Sequence, residues 1–264
     1  MTPKELAISM AVRAGKIVQE NIDKITATDI ENKSPFDYVT EIDKISEQLI
    51  ISSIKKYFPN HEILAEESGT YKNINTYRWL IDPLDGTTNF IHGNPHCSIS
   101  IALQKEDKTI LGVIYDPFRD ELYYAEKGNG AYVSNKRIYV SKQEKLSSCL
   151  IATGFPFKCR HLLDQYWLVL SEIFMGISGI RRTGSAALDL AYVACGRFEC
   201  FFEYDLKPWD IAAGMLLVRE AGGRFSDFSG NVSNLDGDET IAANDLVYNE
   251  LLAVIQRFMK PKTR

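Results

Sequence analysis

The chain has 264 residues, of which 45% are hydrophobic and 25% are charged, and its formal net charge is −5. This composition is typical of a globular protein, and the length allows either one large domain or two closely packed lobes. The acidic balance disfavours strong direct binding to nucleic acid, and because no run of about 18 apolar residues exists, no membrane contact is expected.

The N-terminus and the cysteines together predict a cytoplasmic protein. The first residues lack the basic and then apolar pattern of a secretory signal peptide. Five cysteines form no Cys-x-x-Cys pair and stand mostly in apolar surroundings, which indicates reduced thiols in the core. These are Cys97, Cys149, Cys159, Cys195 and Cys200.

Two amphipathic helices are predicted at the start of the chain. The first begins at a capping box around Thr2 and continues with apolar residues at helical spacing. The polar residues 26–36 indicate a loop or a short hairpin. The second helix follows Thr40 and ends near Phe58, where a Pro-Asn pair stops it.

Short strands dominate the next part of the chain. Apolar or alternating patterns predict strands at residues 62–65, 78–81, 98–103, 110–115 and 121–125. Short strands with tight connections favour an antiparallel sheet that packs on the first two helices.

Helices and strands alternate beyond a polar stretch at residues 142–148. Strands are predicted at residues 149–153, 198–203 and 240–243, and helices at residues 161–174, 186–195, 209–221 and 246–259. This alternation favours an α/β arrangement. We therefore expect an N-terminal α+β lobe at residues 1–145 and a C-terminal α/β lobe at residues 146–264, packed together as one unit.

Residues 82–90 carry the most informative motif, Asp-Pro-Leu-Asp-Gly-Thr-Thr-Asn-Phe, directly after an apolar run. Asp82 and Asp85 offer hard oxygen ligands to a cation, and the carbonyl of Leu84 between them offers another. The Gly-Thr-Thr that follows offers backbone amides to an anion. Asp-Pro and Asp-Gly are also common turn dipeptides, so the two aspartates alone fit a simple turn equally well.

Four further acidic residues have a functional and a simpler interpretation. Glu66 and Glu67 end an apolar strand, where they repel each other unless a cation lies nearby or water solvates them. Asp210 opens an apolar helix, where it either caps the helix or faces an internal cleft. Asp43 forms a capping-box spacing with Thr40, and it could also hold the hydroxyl of another residue.

These motifs together resemble the inositol monophosphatase family. Residues 82–90 resemble its first signature, and residues 209–223, which begin Trp-Asp-Ile-Ala-Ala-Gly, resemble its second. Residues 66–68 and 37–43 match the family in kind and order, so that the resemblance covers nearly the whole chain. Residues 181–191, with Phe-Glu further on, are most similar to the bacterial SuhB-like branch.

The resemblance implies a fold and a chemistry. The implied fold is an α/β (α+β) five-layer α-β-α-β-α sandwich, usually found as a homodimer. The implied activity is Mg²⁺-dependent hydrolysis of phosphate monoesters with two or three ions, with Mn²⁺ as a substitute and Ca²⁺ or Li⁺ as inhibitors. The first ion would bind Glu66, Asp82 and the Leu84 carbonyl, and the second would bind Asp82, Asp85 and Asp210.

The remaining implied roles concern the attacking water and the substrate. Thr87 with Asp43 would help deprotonate the water, and Glu67 would support the site through a further water molecule. The implied catalytic residues are thus Glu66, Thr87, Asp43 and Glu67. The implied substrate contacts are Asp85, Gly86, Thr87, Gly184, Ser185, Ala186 and Glu203.

The resemblance leaves several activities open. The leading one is hydrolysis of myo-inositol 1-phosphate, because the chain has no obvious insertion for a nucleotide base and Glu203 suits ring hydroxyls. The alternatives are 3′(2′),5′-bisphosphate nucleotidase, histidinol-phosphatase and fructose-1,6-bisphosphatase. The SuhB-like branch also implies a binding role in transcription antitermination or ribosome biogenesis, with a protein partner in the transcription machinery. For Arg181 and Arg182 we expect ion pairs, at a dimer interface or with acids of their own lobe.

Overall fold

Helices and sheets alternate through the molecule in five layers. A computed structural model describes residues 1–34, 37–73, 76–157, 159–231 and 239–259. The helices are α1 (Pro3–Asn21), α2 (Glu41–Tyr57), α3 (Thr87–Ile91), α4 (Leu163–Phe174), α5 (Ala186–Ala194), α6 (Pro208–Glu220) and α7 (Tyr248–Phe258). The strands are β1 (Ile30–Ser34), β2 (Asp37–Thr40), β3 (Glu62–Ala65), β4 (Gly69–Tyr71), β5 (Tyr77–Asp85), β6 (Ser98–Lys105), β7 (Lys108–Asp116), β8 (Glu121–Glu126), β9 (Ala131–Val133), β10 (Lys136–Ile138), β11 (Leu150–Thr153), β12 (Gly179–Arg181), β13 (Cys200–Tyr204), β14 (Arg224–Ser226) and β15 (Glu239–Ala243).

The first two layers are a helix pair and an eight-stranded sheet. Helix α1 starts at the predicted capping box, in which Thr2 and Glu5 bond reciprocally, and α2 starts at the second one, formed by Thr40 and Asp43. Both helices bury their apolar faces on one side of the sheet, around the fully buried Trp79. The strand order is β10-β9-β8-β7-β6-β5-β3-β4, and the neighbours pair antiparallel except β3 and β5, which are parallel. The predicted antiparallel sheet is therefore confirmed apart from this one pair.

A bulge interrupts the pairing of β5 with β6 at the motif of residues 82–90. Asp82 lies opposite Ser100 and Asp85 opposite Ser98, so β5 has one residue more than its partner over this interval. In a regular strand, side chains three positions apart point to opposite faces. The extra residue re-aims one of the two, which is what bulges next to functional sites commonly do.

The middle layer consists of α5 and α6, which are enclosed by both sheets. Every residue of α5 is buried, and so are the eight consecutive residues from Ile211 to Val218 in α6. Helices that are apolar all round are stable only when they are covered on all sides. Both helices contribute to one core cluster with Leu80 and Ile114 from the first sheet and Phe201 from the second.

The last two layers are a five-stranded sheet and the helices α4 and α7. The sheet order is β12-β11-β13-β15-β14, with parallel pairs at β11 and antiparallel pairs at β15. The outer face packs on α4 and α7 through Tyr166, Val169, Leu251 and Ile255. This completes the α-β-α-β-α sandwich that the family resemblance implied.

The structure adds short elements that the sequence patterns did not indicate. Strands β4, β9, β10, β12 and β14 have three residues each, which is too short for a periodic signal. The polar stretch before α2 forms the hairpin of β1 and β2, and Pro35 lies outside the described residues. All strands of the eight-stranded sheet come before residue 145 in the chain, and all strands of the five-stranded sheet come after it. That these two parts form separate lobes stays a prediction. No helix in the described part of the chain is long and apolar enough to cross a bilayer.

Candidate functional site

A pocket of about 140 Å³ opens where the motif of residues 82–90 faces the ends of elements from the second half of the chain. Its walls contain most of the residues that the sequence singled out. These are Glu66, Asp82, Leu84, Asp85, Gly86, Thr87, Gly184, Ala186, Glu203 and Asp210. The structure therefore brings together carboxylates that are as far apart in sequence as Glu66 and Asp210.

Three predicted residues stand behind the wall instead of in it. Asp43 accepts a hydrogen bond at 3.0 Å from the hydroxyl of Thr87. Glu67 is linked to the wall residue Glu66 by Lys33, whose ammonium group donates hydrogen bonds to both carboxylates. Ser185, predicted as a substrate contact, is buried and directs its hydroxyl to Asp85, so the structure gives it a supporting position.

Asp82 is the most deeply buried acid of the pocket, with 2% of its surface exposed. Its Oδ1 accepts one hydrogen bond, from the amide of Leu84 at 3.0 Å. Burial raises the pKa of Asp82 well above its usual range, and the neighbouring charges of Glu66, Asp85 and Asp210 raise it further. A carboxylate in this position is stabilised by a cation or by a proton.

Asp85 is held from the opposite side by the start of α5. Its Oδ2 accepts hydrogen bonds from the hydroxyl of Ser185 and, at 2.8 Å, from the amide of Ala187. Burial raises the pKa of Asp85 to about 6 although these hydrogen bonds oppose the shift. One oxygen of Asp85 is therefore used to dock the second half of the chain, and the other remains for the pocket.

Asp210 is both a helix cap and a wall of the pocket. Its Oδ2 accepts a hydrogen bond at 2.7 Å from the amide of Lys207, which is the predicted capping contact at the start of α6. Burial raises its pKa well above the usual range, and Glu66 and Asp85 add to this effect. The capping interpretation is thus confirmed, and it leaves Asp210 facing the other acids.

Lys33 places a positive charge beside two of the acidic residues, Glu66 and Glu67. Its Nζ lies 2.9 Å from Oε1 of Glu66 and 2.5 Å from Oε1 of Glu67. Burial lowers the pKa of Lys33, but the two carboxylates outweigh it and the net shift is upward. The same neighbourhood raises the pKa of Glu67 to about 7, through burial first and then through Glu66.

The oxygen-rich chemistry of the pocket suits a hard divalent cation. In the described part of the chain, no three His, Cys, Asp or Glu side chains form a ready-made metal cluster. The donors themselves fit Mg²⁺, because all are carboxylate or carbonyl oxygens and because Asp82 and Asp210 are buried beside other negative groups.

Thr87 and Asp43 form a hydrogen-bonded pair at the start of α3. The hydroxyl of Thr87 lies 3.0 Å from Asp43 Oδ1 and 3.1 Å from the Leu84 carbonyl. Asp43 also accepts bonds from the amide and the hydroxyl of Thr40, and burial raises its pKa to about 6. Gly86 adopts φ +96°, which favours glycine, and turns the chain so that Thr87 faces the pocket.

The far side of the pocket is formed by Glu203, Gly154 and Gly184. A Cβ added to Gly154 would lie 1.8 Å from Oε1 of Glu203, so only glycine lets this carboxylate take its position. Burial raises the pKa of Glu203 to about 8, and the charge of Asp189 contributes. This shift favours the protonated form of Glu203, which can donate a hydrogen bond as well as accept one.

Sequence reasoning missed three wall residues. Arg182, for which ion pairing was expected, lines the pocket, and so do Gly154 and Leu206. Gly154 and Leu206 follow β11 and β13, so their positions depend on where these strands end. Arg182 follows β12, which is too short to predict, so no local signal indicated its role.

The layered fold and the acidic pocket define a class of protein: an α/β sandwich with an oxygen-rich site for a cation and a phosphoryl group. The chain belongs to the inositol monophosphatase family, whose family model matches residues 3–260. The resemblance predicted from the sequence is therefore confirmed. Membership makes the chain a phosphatase of this superfamily, which is generally metal-dependent.

Relatives and solved structures agree with this assignment. The Nus factor SuhB of Pasteurella multocida is 43% identical over 252 residues, which are 95% of this chain and 94% of the relative. The extragenic suppressor protein SuhB from Bartonella henselae matches 97% of this chain and 98% of its own, with a TM-score of 0.93 and 38% identity. An inositol monophosphatase from Anabaena (Nostoc) sp. PCC 7120 matches 97% of this chain and 96% of its own, with a TM-score of 0.87 and 36% identity.

Proposed function

We propose that this protein hydrolyses inositol 1-phosphate with Mg²⁺. The observation that carries the proposal is the convergence of four acids, Glu66, Asp82, Asp85 and Asp210, on one small pocket. Burial and mutual repulsion raise the pKa of three of them, which is a signature of functional sites. The inositol monophosphatase from Anabaena, at 36% identity, supports the choice of substrate.

The acids and the Leu84 carbonyl supply the ligands. Glu66, Asp82 and the Leu84 carbonyl would hold one ion, and Asp82, Asp85 and Asp210 would hold a second. Bound Mg²⁺ supplies charge neutralisation and a more acidic water. In this arrangement Asp82 contributes to both ions, which fits its deep burial beside the other acids.

The chain's own residues position the reactants. Thr87 can pass a proton toward Asp43, because its hydroxyl lies within hydrogen-bond distance of that carboxylate. The amides at Gly86 and Thr87 precede the first bonds of α3 and offer donors to the phosphoryl oxygens. Glu203 faces the position of the departing alcohol, where it would exchange hydrogen bonds with ring hydroxyls.

The proposal is tested by phosphate release from a panel of substrates with Mg²⁺ and with a chelator. The panel contains inositol 1-phosphate, adenosine 3′,5′-bisphosphate, histidinol phosphate and fructose 1,6-bisphosphate. Asp82→Asn should abolish release, whereas Asp107→Asn should not, because Asp107 is 88% exposed and remote from the pocket. Near-normal turnover of Asp82→Asn would refute the metal assignment, and a higher kcat/KM for another substrate would refute inositol 1-phosphate.

The inhibitors and the assembly implied by the resemblance belong to the same proposal. Li⁺ and Ca²⁺ should inhibit release and Mn²⁺ should partly replace Mg²⁺. The chain should also form a homodimer, which light scattering of the purified protein measures directly. Each of these results can fail without affecting the others.

A second candidate function is binding to a protein partner. It is favoured by relatives with 43% identity that are named Nus factors. We propose that the chain, like the Nus factors it resembles, also takes part in transcription antitermination through a protein partner. The discriminating experiment asks whether Asp82→Asn, without phosphatase activity, still rescues a strain that lacks the gene. Rescue would favour the binding role, and loss of rescue with loss of catalysis would contradict it.

A further inference from the structure

Asn89 belongs to the motif of residues 82–90, but the proposed metal and phosphoryl contacts do not use it. It is the third residue of the short helix α3 and follows the two threonines of the motif. The walls of the pocket include Gly86 and Thr87 from the same segment but not Asn89. Any part that Asn89 takes in the reaction is therefore exerted through other residues.

The side-chain amide of Asn89 joins two loops that are distant in sequence. Its Nδ2 donates hydrogen bonds to the carbonyl of His96 at 2.8 Å and to the carbonyl of Thr183 at 2.9 Å. Its Oδ1 accepts a hydrogen bond at 2.9 Å from Nδ2 of Asn94. Because backbone carbonyls can only accept, the two bonds also fix which end of the carboxamide faces them. We call these two donated hydrogen bonds the Asn89 bridge.

The two carbonyls of the Asn89 bridge belong to segments outside the strand ladders. His96 precedes β6, which begins at Ser98, and Thr183 follows β12, which ends at Arg181. Carbonyls in such segments depend on side chains or water for their hydrogen bonds. A single side chain that bonds one carbonyl from each half of the chain also fixes the distance between the two segments.

Two glycines allow these segments to approach each other closely. A Cβ added to Gly86 would lie 3.0 Å from the carbonyl oxygen of His96 and 3.2 Å from that of Gly184. A Cβ added to Gly184 would lie 2.8 Å from Nδ2 of Asn89. Both glycines have a positive φ, +96° and +92°, which other residues rarely adopt. The phosphoryl segment therefore touches the loop before α5, and the Asn89 bridge holds this contact together.

The loop that the Asn89 bridge holds is also the one that orients Asp85. The hydroxyl of Thr183 donates a hydrogen bond at 2.6 Å to Asp189, which is 1% exposed, so the loop is also tied to α5. Two residues further on, the hydroxyl of Ser185 and then the amide of Ala187 donate hydrogen bonds to Oδ2 of Asp85. A shift of this loop against α3 would turn the carboxylate of Asp85, and with it the oxygen that remains for a cation.

We propose that Asn89 is a positioning residue for the second metal ion. The Asn89 bridge holds residues 182–185 against the start of α3, and this loop sets the orientation of Asp85. The inference rests on the proposed function, in which Asp85 and Asp210 are ligands of that ion. The simpler alternative is that Asn89 only stabilises the fold, as a typical hydrogen-bonded side chain does.

The test measures Mg²⁺ binding by calorimetry in the absence of substrate, and Mg²⁺ activation of phosphate release in parallel. Asn89→Ala should raise the Kd for Mg²⁺ and the Mg²⁺ concentration for half-maximal activity by about threefold to tenfold. This is less than the usual effect of residues that touch a metal ligand, because Asn89 acts through one residue more. Asn89 is only half-buried, so the substitution should not unfold the protein.

Asn89→Asp provides a second variant of the same shape. It replaces the amide donors with a carboxylate, and an added negative charge near a cation site should by itself tighten Mg²⁺ binding. Weaker binding in this variant can therefore come only from the loss of the Asn89 bridge. We expect weaker binding, as for Asn89→Ala.

Asn244→Ala is the matched control. Asn244 also makes three hydrogen bonds: its Nδ2 donates to the carbonyl of Gln143 at 3.0 Å, and its Oδ1 accepts from the amides of Leu246 and Val247. It is 1% exposed and follows β15, outside the walls of the pocket. Asn244→Ala should lower the Tm at least as much as Asn89→Ala does, but it should leave Mg²⁺ binding unchanged.

The binding measurement separates this proposal from the proposed function. Failure of the wild-type protein to release phosphate from any ester of the panel refutes the phosphatase proposal. Mg²⁺ affinity that is unchanged in both Asn89 variants, or that is weakened equally in Asn244→Ala, refutes the role of Asn89 even if the esters are hydrolysed. A wild-type protein that binds no Mg²⁺ refutes the metal assignment and this proposal together.

Discussion

The two ends of the candidate active site are built in different ways. The phosphoryl end comes largely from one short segment, because Asp82, Leu84, Asp85, Gly86 and Thr87 follow each other along β5 and the start of α3. The alcohol end is collected from single residues at or just beyond the ends of β11, β12 and β13. The first end therefore depends on local chain geometry, and the second depends on how separate elements pack.

This difference matches what each end has to recognise. A phosphoryl group has one shape, so a buried strand with a bulge can present its ligands at fixed spacing. Alcohols differ from substrate to substrate, and residues at strand ends and in loops can change without disturbing a core. We infer that the metal chemistry is set mainly by Glu66 and residues 82–87 of the first half of the chain, and that substrate choice is set by the second half.

The largest expected effect concerns Asp210, the one proposed metal ligand that comes from the second half of the chain. Asp210 comes from the second half of the chain but faces the acids of the first. Asp210→Asn should lower kcat/KM by more than about a hundredfold, beyond the usual loss for residues that only support metal ligands. The decrease should match that of Asp82→Asn, because both would bind the same ion. A loss of less than tenfold would assign Asp210 to helix capping alone.

An intermediate effect is expected at the alcohol end. Gly154→Ala places a Cβ against Glu203 and should cost about 1–3 kcal/mol of stability, as overpacking does. The KM for inositol 1-phosphate should rise about tenfold while inhibition by inorganic phosphate changes little, since the phosphoryl contacts are untouched. Gly176→Ala is the matched control, because its new Cβ would lie 3.9 Å from the nearest neighbour. Equal losses for both ligands would contradict the division between the two ends.

The smallest expected effect is a pH dependence of stability in the absence of metal. The pKa values of Asp43 and Asp85 are raised to about 6, that of Glu67 to about 7 and that of Glu203 to about 8. Because the folded state binds more protons than the unfolded state between about pH 4 and 8, stability should fall as pH rises through this range.

Thermal unfolding in chelator and in Mg²⁺ measures this dependence. Mg²⁺ should raise the Tm more at pH 8 than at pH 5.5, by about 5 °C if the difference amounts to about 2 kcal/mol. Glu203→Gln should flatten the pH dependence but keep the effect of Mg²⁺, because Glu203 belongs to the alcohol end. A Tm in chelator that is constant or rises with pH would show that these carboxyl groups do not retain protons in the folded protein.

Much of the fold could be predicted because its signals are local. The capping boxes of α1 and α2 indicated where both helices begin, and the Pro-Asn pair after Phe58 indicated the end of α2 to within a residue or two. Strands β4, β12 and β14 could not be predicted, since three residues carry no periodicity and their pairing comes from distant partners. For the same reason the parallel pairing of β3 with β5 had no signal in the sequence.

The sequence by itself determined which residues are the candidates for the phosphoryl end, because two acids, a glycine and two threonines within residues 82–88 define a local geometry. Only the tertiary structure decided what lies opposite them. Arg182, Gly154 and Leu206 reach the site because strands from different parts of the chain end at one place. Packing brings such residues together without any fixed spacing along the chain. For this reason sequence patterns indicate the chemistry of the phosphoryl end but not the shape of the alcohol end.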